Sequence, residues 1–258
     1  MKKTRKISQT VRIAVLSLLA VLFALPVIMT AVNSFSFGES SFTFKGYSEL
    51  VVSEFGYLHY LLNSVLYASI ITVISIAISL PLGFVFAKIP FKGRDTLFFV
   101  YIVVMMLPFQ ATLLSSYIQL REFNMLNTPL ALTVPMIFSP FATFFFRQSM
   151  KNIPNEFIDF ASLETSSVFK VFRHIIIPHI KPAIVSLAIL IFCESWNMVD
   201  QGRMFSMDNE SIQPLSVMLS QIPENLSFVG ATVYMLPIIV VFCLFRETLE
   251  DSMENYSF

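Results

Sequence analysis

Residues 55–87 read FGYLHYLLNSVLYASIITVISIAISLPLGFVFA, a run that contains no Asp, Glu, Lys or Arg. About 20 apolar residues in a helix cross the roughly 30 Å hydrocarbon core of a bilayer. This run is longer than that minimum, and no charge interrupts it. It therefore predicts a transmembrane helix.

Comparable apolar stretches occur on both sides of this run. Four of them also lack Asp, Glu, Lys and Arg, and one more is interrupted only by Glu194. Stretches of this length predict an all-α, polytopic membrane protein with a single transmembrane domain over residues 1–258. The six predicted transmembrane helices lie near residues 13–33, 62–87, 96–118, 128–147, 180–200 and 227–246.

The overall composition agrees with a membrane protein. Of the 258 residues, 55% are hydrophobic and 13% are charged, whereas a soluble domain carries about 25% charged residues. This excludes a disordered chain, a nucleic-acid-binding domain and an ordinary soluble enzyme. The two cysteines lie in or beside apolar stretches and are interpreted as reduced residues rather than a disulfide framework.

The basic residues predict the orientation in the membrane. Cytoplasmic loops carry an excess of Lys and Arg. If the N-terminus is inside, only Lys45, Arg121 and Arg203 of the 17 basic residues lie outside. Both termini are therefore predicted in the cytoplasm, with residues 34–60 and 201–226 outside. The first apolar stretch is too long for a signal peptide and is interpreted as a retained anchor.

The longest predicted cytoplasmic loop covers residues 148–181. A short helix is predicted over residues 153–164, with Glu156 near its N-terminus, where acidic side chains are favoured. Ser167 and the two residues before it predict a break and a new N-cap, followed by an apolar helix that ends at Pro178. Such a helix pair could dock into a groove of a soluble partner, or anchor on lipid headgroups.

The same loop resembles the EAA loop of permease subunits in bacterial ATP-binding-cassette (ABC) importers. Asp159 stands where the family has its leading Glu, and Phe160 stands at the first Ala. Residues 164–166 replace the family's Asp-Gly-Ala, and the spacing from Glu164 to Pro178 matches without a gap. The Gly is replaced by β-branched Thr165, which tolerates a positive φ poorly, so the expectation is either a corner that is built differently or an unusual ATPase groove.

Motifs outside the loop are similar to the carbohydrate-type branch of these permeases, which includes the smaller permease subunit of the maltose transporter. The motifs are Met106-Leu107-Pro108 with Gln110, Leu126-Asn127-Thr128, Phe145 with Arg147-Gln148, and Trp196-Asn197. The resemblance implies a type I importer fold in a prokaryotic plasma (inner) membrane. It also implies uptake of a solute, a sugar or oligosaccharide.

The resemblance further implies partners. They are a second homologous permease forming a heterodimeric pore, two ATPase subunits that hold ATP-Mg, and an extracytoplasmic solute-binding protein. This chain has no P-loop motif and is expected to be non-catalytic, with no cofactor of its own. The expected ATPase-docking residues of this coupling helix and its flanks are Glu156, Phe157, Asp159, Phe160, Ala161, Glu164, Thr165, Ser166, Phe169 and Pro178.

Glu194 is the one acidic residue predicted at membrane depth, which makes it a functional candidate. It could line a solute path together with Gln110, Ser115 and Asn197, or snorkel to the outer interface. As alternatives, Glu194 could relay protons in a proton-coupled secondary transporter, or the chain could belong to a specialised or sensory membrane complex. No Cys or His spacing fits a metal site, and no nucleic-acid partner is expected.

Overall fold

The computed structural model describes residues 2–36, 42–52, 56–164 and 167–255, and it describes side chains within residues 11–36, 42–51, 56–160 and 167–248. Every regular element in these ranges is helical, which confirms the all-α prediction. A π-helical turn, Phe172–Ile176, joins α9 to α10. In chain order the helices are α1 (Lys2–Asn33), α2 (Lys45–Val52), α3 (Tyr57–Lys88), α4 (Arg94–Met105), α5 (Phe109–Glu122), α6 (Pro129–Ile137), α7 (Pro140–Lys151), α8 (Asn155–Glu164), α9 (Val168–Val171), α10 (Ile177–His179), α11 (Lys181–Trp196), α12 (Val199–Phe205), α13 (Leu215–Leu219) and α14 (Ser227–Asn255).

Within the described residues, four helical segments are long and apolar enough to cross a membrane. Two helix pairs pass the same test but are bent, α4 with α5 by 93° and the segment Val168–His179 with α11 by 76°. Counting each bent pair as one span gives six, the number expected from the sequence, although Val168–His179 belongs to the loop that is predicted to be cytoplasmic. The four segments are Val11–Asn33, Tyr57–Lys88, Pro129–Lys151 and Glu224–Thr248.

The predicted helix over residues 96–118 is not continuous. It breaks between α4 and α5, and Pro108 in the break has an extended backbone with φ −64° and ψ 136°. Proline has no N–H to donate to the preceding turn, and it disfavours a helical backbone at the residue before it. In this chain these local effects outweigh the uninterrupted apolar pattern, so the predicted segment consists of two helices that meet at a bend of 93°.

Two other predicted helices also differ from the structure. Within 128–147 the helix restarts at α7, where the Ser139 hydroxyl accepts a hydrogen bond of 3.2 Å from the backbone N–H of Ala142. This side-chain cap satisfies a backbone donor that no preceding turn satisfies. The helix predicted over 180–200 ends at Trp196, and the chain turns before starting α12 at Val199.

The chain divides into two compact units. The first comprises residues 1–58 and 219–237. In it the Ser34 hydroxyl lies 2.6 Å from the Tyr47 hydroxyl, and Ser34 is buried. Aromatic rings pack around this bond, with Phe35 stacked on Phe42 at 5.1 Å between ring centroids. The hydrogen bond and the ring contacts hold the segment after α1 against the start of α2.

The second unit comprises residues 59–218 and 238–258 and contains a continuous apolar core. Leu132, Phe146, Met150 and Leu187 are completely buried there. Helices α3 and α7 approach closely at Gly83, because a Cβ placed on Gly83 would lie 2.8 Å from Phe146 Cβ and 3.1 Å from the Arg147 backbone nitrogen. Small residues permit this closeness between helices in membranes.

Candidate functional site

Helix α8 forms the first part of the loop between α7 and α11. The predicted helix over 153–164 begins two residues later, at Asn155 after Pro154. Its Phe160 side chain is 76% exposed in this chain, and Glu156, Phe157 and Asp159 are also exposed. Ile158, by contrast, packs against the core of the second unit. α8 therefore carries exposed aromatic and acidic side chains.

Phe157 differs from Phe160 because its ring contacts His179, with 5.5 Å between the ring centroids. The Phe157 side chain therefore packs in part on its own chain. The side chains of Ala161 and Glu164, and residues Thr165 and Ser166 as a whole, lie outside the described residues. The arrangement of the corner around Thr165 stays a prediction.

The second helix of the loop starts as expected and ends later than expected. The Ser167 hydroxyl accepts a hydrogen bond of 3.4 Å from the Lys170 N–H, which confirms the predicted N-cap. Phe169 in its first turn is exposed. Pro178 was predicted to end this helix, but helical structure continues through it to His179. Pro178 is the second residue of α10 and directly follows the π-helical turn Phe172–Ile176 and Ile177.

Lys88, the last residue of α3, holds the beginning of α8. Its Nζ donates a hydrogen bond of 2.5 Å to the carbonyl oxygen of Ile153 and another of 2.9 Å to Oδ1 of Asn155. These bonds join the end of a long apolar helix to the first turn of α8. Sequence reasoning counted Lys88 only as a basic residue, because a contact across 65 positions leaves no local signal.

Arg147 of α7 connects three helices at the same end of the unit. Its Nε donates to the carbonyl oxygen of Phe86 at 3.3 Å, and its guanidinium carbon lies 3.7 Å from the centroid of the Phe98 ring. The ion pair with Asp95 at 3.4 Å adds little, because the Asp95 carboxylate is largely exposed. Stacking of the guanidinium on Phe98 is the stronger contribution, of about 0.5–2 kcal/mol. The helices next to α8 thus form a fixed framework.

A cavity of about 470 Å³ lies within the second unit, between α4, α5, α6, α7, α11 and α12. Most of its wall is apolar and aromatic. Glu194, Ser195 and Gln201 bring polar groups to it. Glu194 is the only charged side chain among the lining residues.

Of the four residues predicted for a solute path, Glu194 lines this cavity and the other three do not. The Ser115 hydroxyl donates to the carbonyl oxygen of Ala111 at 3.0 Å, and Asn197 Nδ2 donates to that of Cys193 at 2.7 Å. Gln110 is exposed. Sequence reasoning missed Ser195 and Gln201, because a single Ser or Gln in an apolar helix is more often a helix–helix contact.

Comparisons with known proteins identify relatives along most of the chain. Residues 79–255 match a family described as the binding-protein-dependent transport system inner membrane component. An arabinooligosaccharides transport system permease protein of Bacillus subtilis is 28% identical over 221 residues, covering 82% of this chain and 75% of the relative. An sn-glycerol-3-phosphate transport system permease protein of Salmonella typhi is 31% identical over 137 residues, covering 53% of this chain and 49% of the relative.

A solved structure has the same fold. It is a chain of a bacterial ABC transporter involved in the import of the acidic polysaccharide alginate. The alignment covers 95% of this chain and 97% of that chain with a TM-score of 0.80 at 18% identity. At this identity the likeness concerns the fold alone.

Proposed function

The chain belongs to the family of binding-protein-dependent transport system inner membrane components, and from this we propose that it forms half of the translocation pore of an ATP-driven importer for a sugar or oligosaccharide. It is a transmembrane permease subunit of an ABC transporter. ATP hydrolysis, in this proposal, takes place on two separate ATPase subunits. A second permease completes the pore, and an extracytoplasmic binding protein delivers the solute.

The observation that carries the proposal is the exposed aromatic surface of the loop that contains α8 and α9. Phe160 and Phe169 are both exposed on a loop that is fixed to the bundle through Lys88. A short helix with exposed aromatic side chains on a rigid support suits docking into a groove of a soluble subunit. Because α8 is hydrogen-bonded to the end of α3, movement of a docked ATPase would be transmitted into the apolar helices.

The solute class is proposed from the relatives. Their names refer to arabinooligosaccharides, lactose and sn-glycerol-3-phosphate. All three are polyhydroxylated, and the last also carries a phosphate. The family therefore favours a polyhydroxylated solute and leaves the charge of that solute open.

The test of this function is the energy source of uptake. We expect the complete complex in proteoliposomes to take up oligosaccharide only when ATP is present on the ATPase side, and a protonophore to leave this uptake unchanged. ATP binding and hydrolysis on separate subunits require no proton gradient. Uptake that collapses with a protonophore at constant ATP would instead support proton-coupled transport through Glu194. Measured ATPase activity without uptake of any solute would support the specialised or sensory complex.

The proposed orientation has both termini in the cytoplasm and can be tested by cysteine labelling. Met207, which is exposed between α12 and α13, should react as Met207→Cys with an impermeant maleimide in intact cells. Cys193 and Cys243 are first replaced by Ser. Lys151→Cys, at the opposite predicted side, serves as the matched control and should react only after permeabilisation. The reverse labelling pattern would contradict the orientation derived from the basic residues.

Lys88 is expected to be a positioning residue for coupling. Lys88→Met removes both hydrogen bonds to the start of α8 while it keeps the aliphatic stem. Loss of two charge-assisted bonds of about 1.5–3 kcal/mol each should loosen α8. We expect a several-fold lower ratio of solute transported to ATP hydrolysed, with ATPase subunits still bound. Lys88→Arg, which retains donors and charge, should recover part of this ratio; an unchanged ratio in Lys88→Met would contradict the role.

A further inference from the structure

Aromatic, carboxylate and neutral polar side chains line the cavity in the second unit. Aromatic rings come from Phe109, Phe138, Phe141 and Phe205, and a carboxylate comes from Glu194. Ser195 and Gln201 add a hydroxyl and an amide, and both residues are buried. Carboxylate, amide and hydroxyl groups beside aromatic rings suit a ligand that presents hydroxyls on its edges and C–H groups on its faces.

Within the described part of the chain, the Glu194 carboxylate has no hydrogen bond or ion pair. The Glu194 side chain is exposed on this chain. A charged side chain that faces lipid at membrane depth is costly, and such residues almost always face the bundle interior or a water-filled cavity. At the membrane depth predicted for Glu194, its exposed side would adjoin water, solute or another protein subunit rather than lipid.

Ser195 provides a second, independent observation. Its side chain is 1% exposed, and Oγ finds no hydrogen-bond partner among the described residues. Buried hydroxyls normally have a partner, so an unsatisfied one on a cavity wall indicates that a ligand or a bound water supplies it. Ser195 follows Glu194 directly in α11, so the carboxylate and this hydroxyl are adjacent in the chain.

We infer that this cavity binds a neutral, polyhydroxylated part of the transported solute, and that Glu194 excludes anionic solutes from it. This inference rests on the proposed import function and adds the charge class of the solute. A carboxylate can accept hydrogen bonds from two sugar hydroxyls, and bonds to an ionised acceptor are stronger than neutral ones. The aromatic rings pack on the C–H faces of the sugar.

The selectivity follows from the charges on the wall. A uronate or phosphate bound in the cavity would place a second negative charge near Glu194, and two like charges at close range repel each other. Among the lining residues there is no Lys, Arg or His to neutralise it. Neutral saccharides avoid this repulsion and use the carboxylate as an acceptor.

The experiment measures solute binding to the complex of permeases and ATPase subunits in lipid nanodiscs. The binding protein is left out, so that any preference between solutes is due to the membrane complex itself. The probes are tritiated arabinotriose and maltotriose as neutral trisaccharides and trigalacturonate as the anionic one. We expect the wild-type complex to bind at least one neutral trisaccharide about tenfold or more tightly than trigalacturonate. In Glu194→Gln, neutral binding should weaken about threefold and trigalacturonate binding should tighten about threefold, so that the tenfold preference disappears, because a neutral amide replaces the charged acceptor and removes the repulsion.

The variant Ser195→Ala tests the contribution of this hydroxyl to solute binding separately from its contribution to folding stability. Its hydroxyl has no hydrogen-bond partner among the described residues, so its removal should leave the thermal unfolding temperature of the complex unchanged or raise it slightly. Binding of the neutral trisaccharide should nevertheless weaken several-fold. Glu122→Gln, which removes an exposed carboxylate outside the cavity, is the matched control for charge and should change neither measurement.

Three outcomes with the purified complex would overturn the inference. They are tighter binding of trigalacturonate than of both neutral trisaccharides, unchanged binding of every probe in Glu194→Gln and Ser195→Ala, or failure of the two permeases to associate in Glu194→Gln. The last outcome would show that Glu194 pairs with the second permease. ATP-driven uptake of an anionic solute would also overturn the inference while leaving the proposed import function intact.

Discussion

Phe160→Asp is expected to detach the ATPase subunits from the membrane complex without unfolding the helical bundle. Phe160 is 76% exposed on α8, so its own chain loses almost no packing when the ring is removed. An aromatic anchor in a partner's groove is worth about 2 kcal/mol or more, which corresponds to roughly thirtyfold weaker binding. A buried carboxylate in that groove adds a desolvation cost. Co-purification of the ATPase and solute-stimulated ATP hydrolysis measure the effect.

Two control variants test whether loss of the ATPase is specific to Phe160. Phe123→Asp replaces another exposed Phe, at the end of α5, and should retain the ATPase because Phe123 lies outside the α8 loop. Asp159→Ala should weaken coupling only modestly, because charges at the rim of an interface contribute less than a buried aromatic anchor. If Phe160→Asp keeps the ATPase bound but loses affinity for lipid vesicles, α8 is a headgroup anchor and not a coupling helix.

Gly83→Val is expected to prevent assembly of a stable complex. Even a single Cβ at residue 83 would lie 2.8 Å from Phe146 Cβ and 3.1 Å from the backbone nitrogen of Arg147. The second of these atoms belongs to the α7 backbone and cannot rotate away, so α3 and α7 must separate. Overpacking of this kind costs about 1–3 kcal/mol, and separation also disturbs the Arg147 bond to Phe86. Size-exclusion chromatography and thermal unfolding of the purified complex measure the loss.

The matched control is Ala77→Val, on the exposed side of the same helix. This change also introduces a β-branched residue into α3, but it does so away from the crossing with α7. We expect an assembled complex with nearly wild-type thermal stability. Equal loss of stability in both variants would mean that α3 tolerates no branched residue at all, and the close approach at Gly83 would then not explain the effect.

Local features of the chain were predictable because their causes are local. Uninterrupted apolar runs fix which segments are long helices, since an exposed backbone is costly in hydrocarbon. The Ser167 cap was also predictable, because a hydroxyl before an apolar segment satisfies a backbone N–H only three residues further on. The family resemblance could likewise be identified from residues within one loop and four short motifs.

The bend at Pro108 was harder to predict, because prolines in membrane helices are often accommodated by neighbouring helices and water. The apolar pattern of residues 96–118 is the same whether the helix is straight or bent by 93°. Pro81 and Pro237, by comparison, lie inside unbroken helices. The residue type alone therefore does not decide between a break and a continuous helix.

By itself the sequence determined the helical class, the six apolar segments, the membrane location and the loop that carries the exposed aromatic residues. Only the tertiary structure decided that Lys88 holds α8, that Gly83 meets α7, and that Glu194 shares a cavity with Ser195 and Gln201. The physical reason is the range of the interactions involved. Apolar burial and capping act between neighbours in sequence, whereas a cavity or a cross-helix hydrogen bond depends on how distant segments pack.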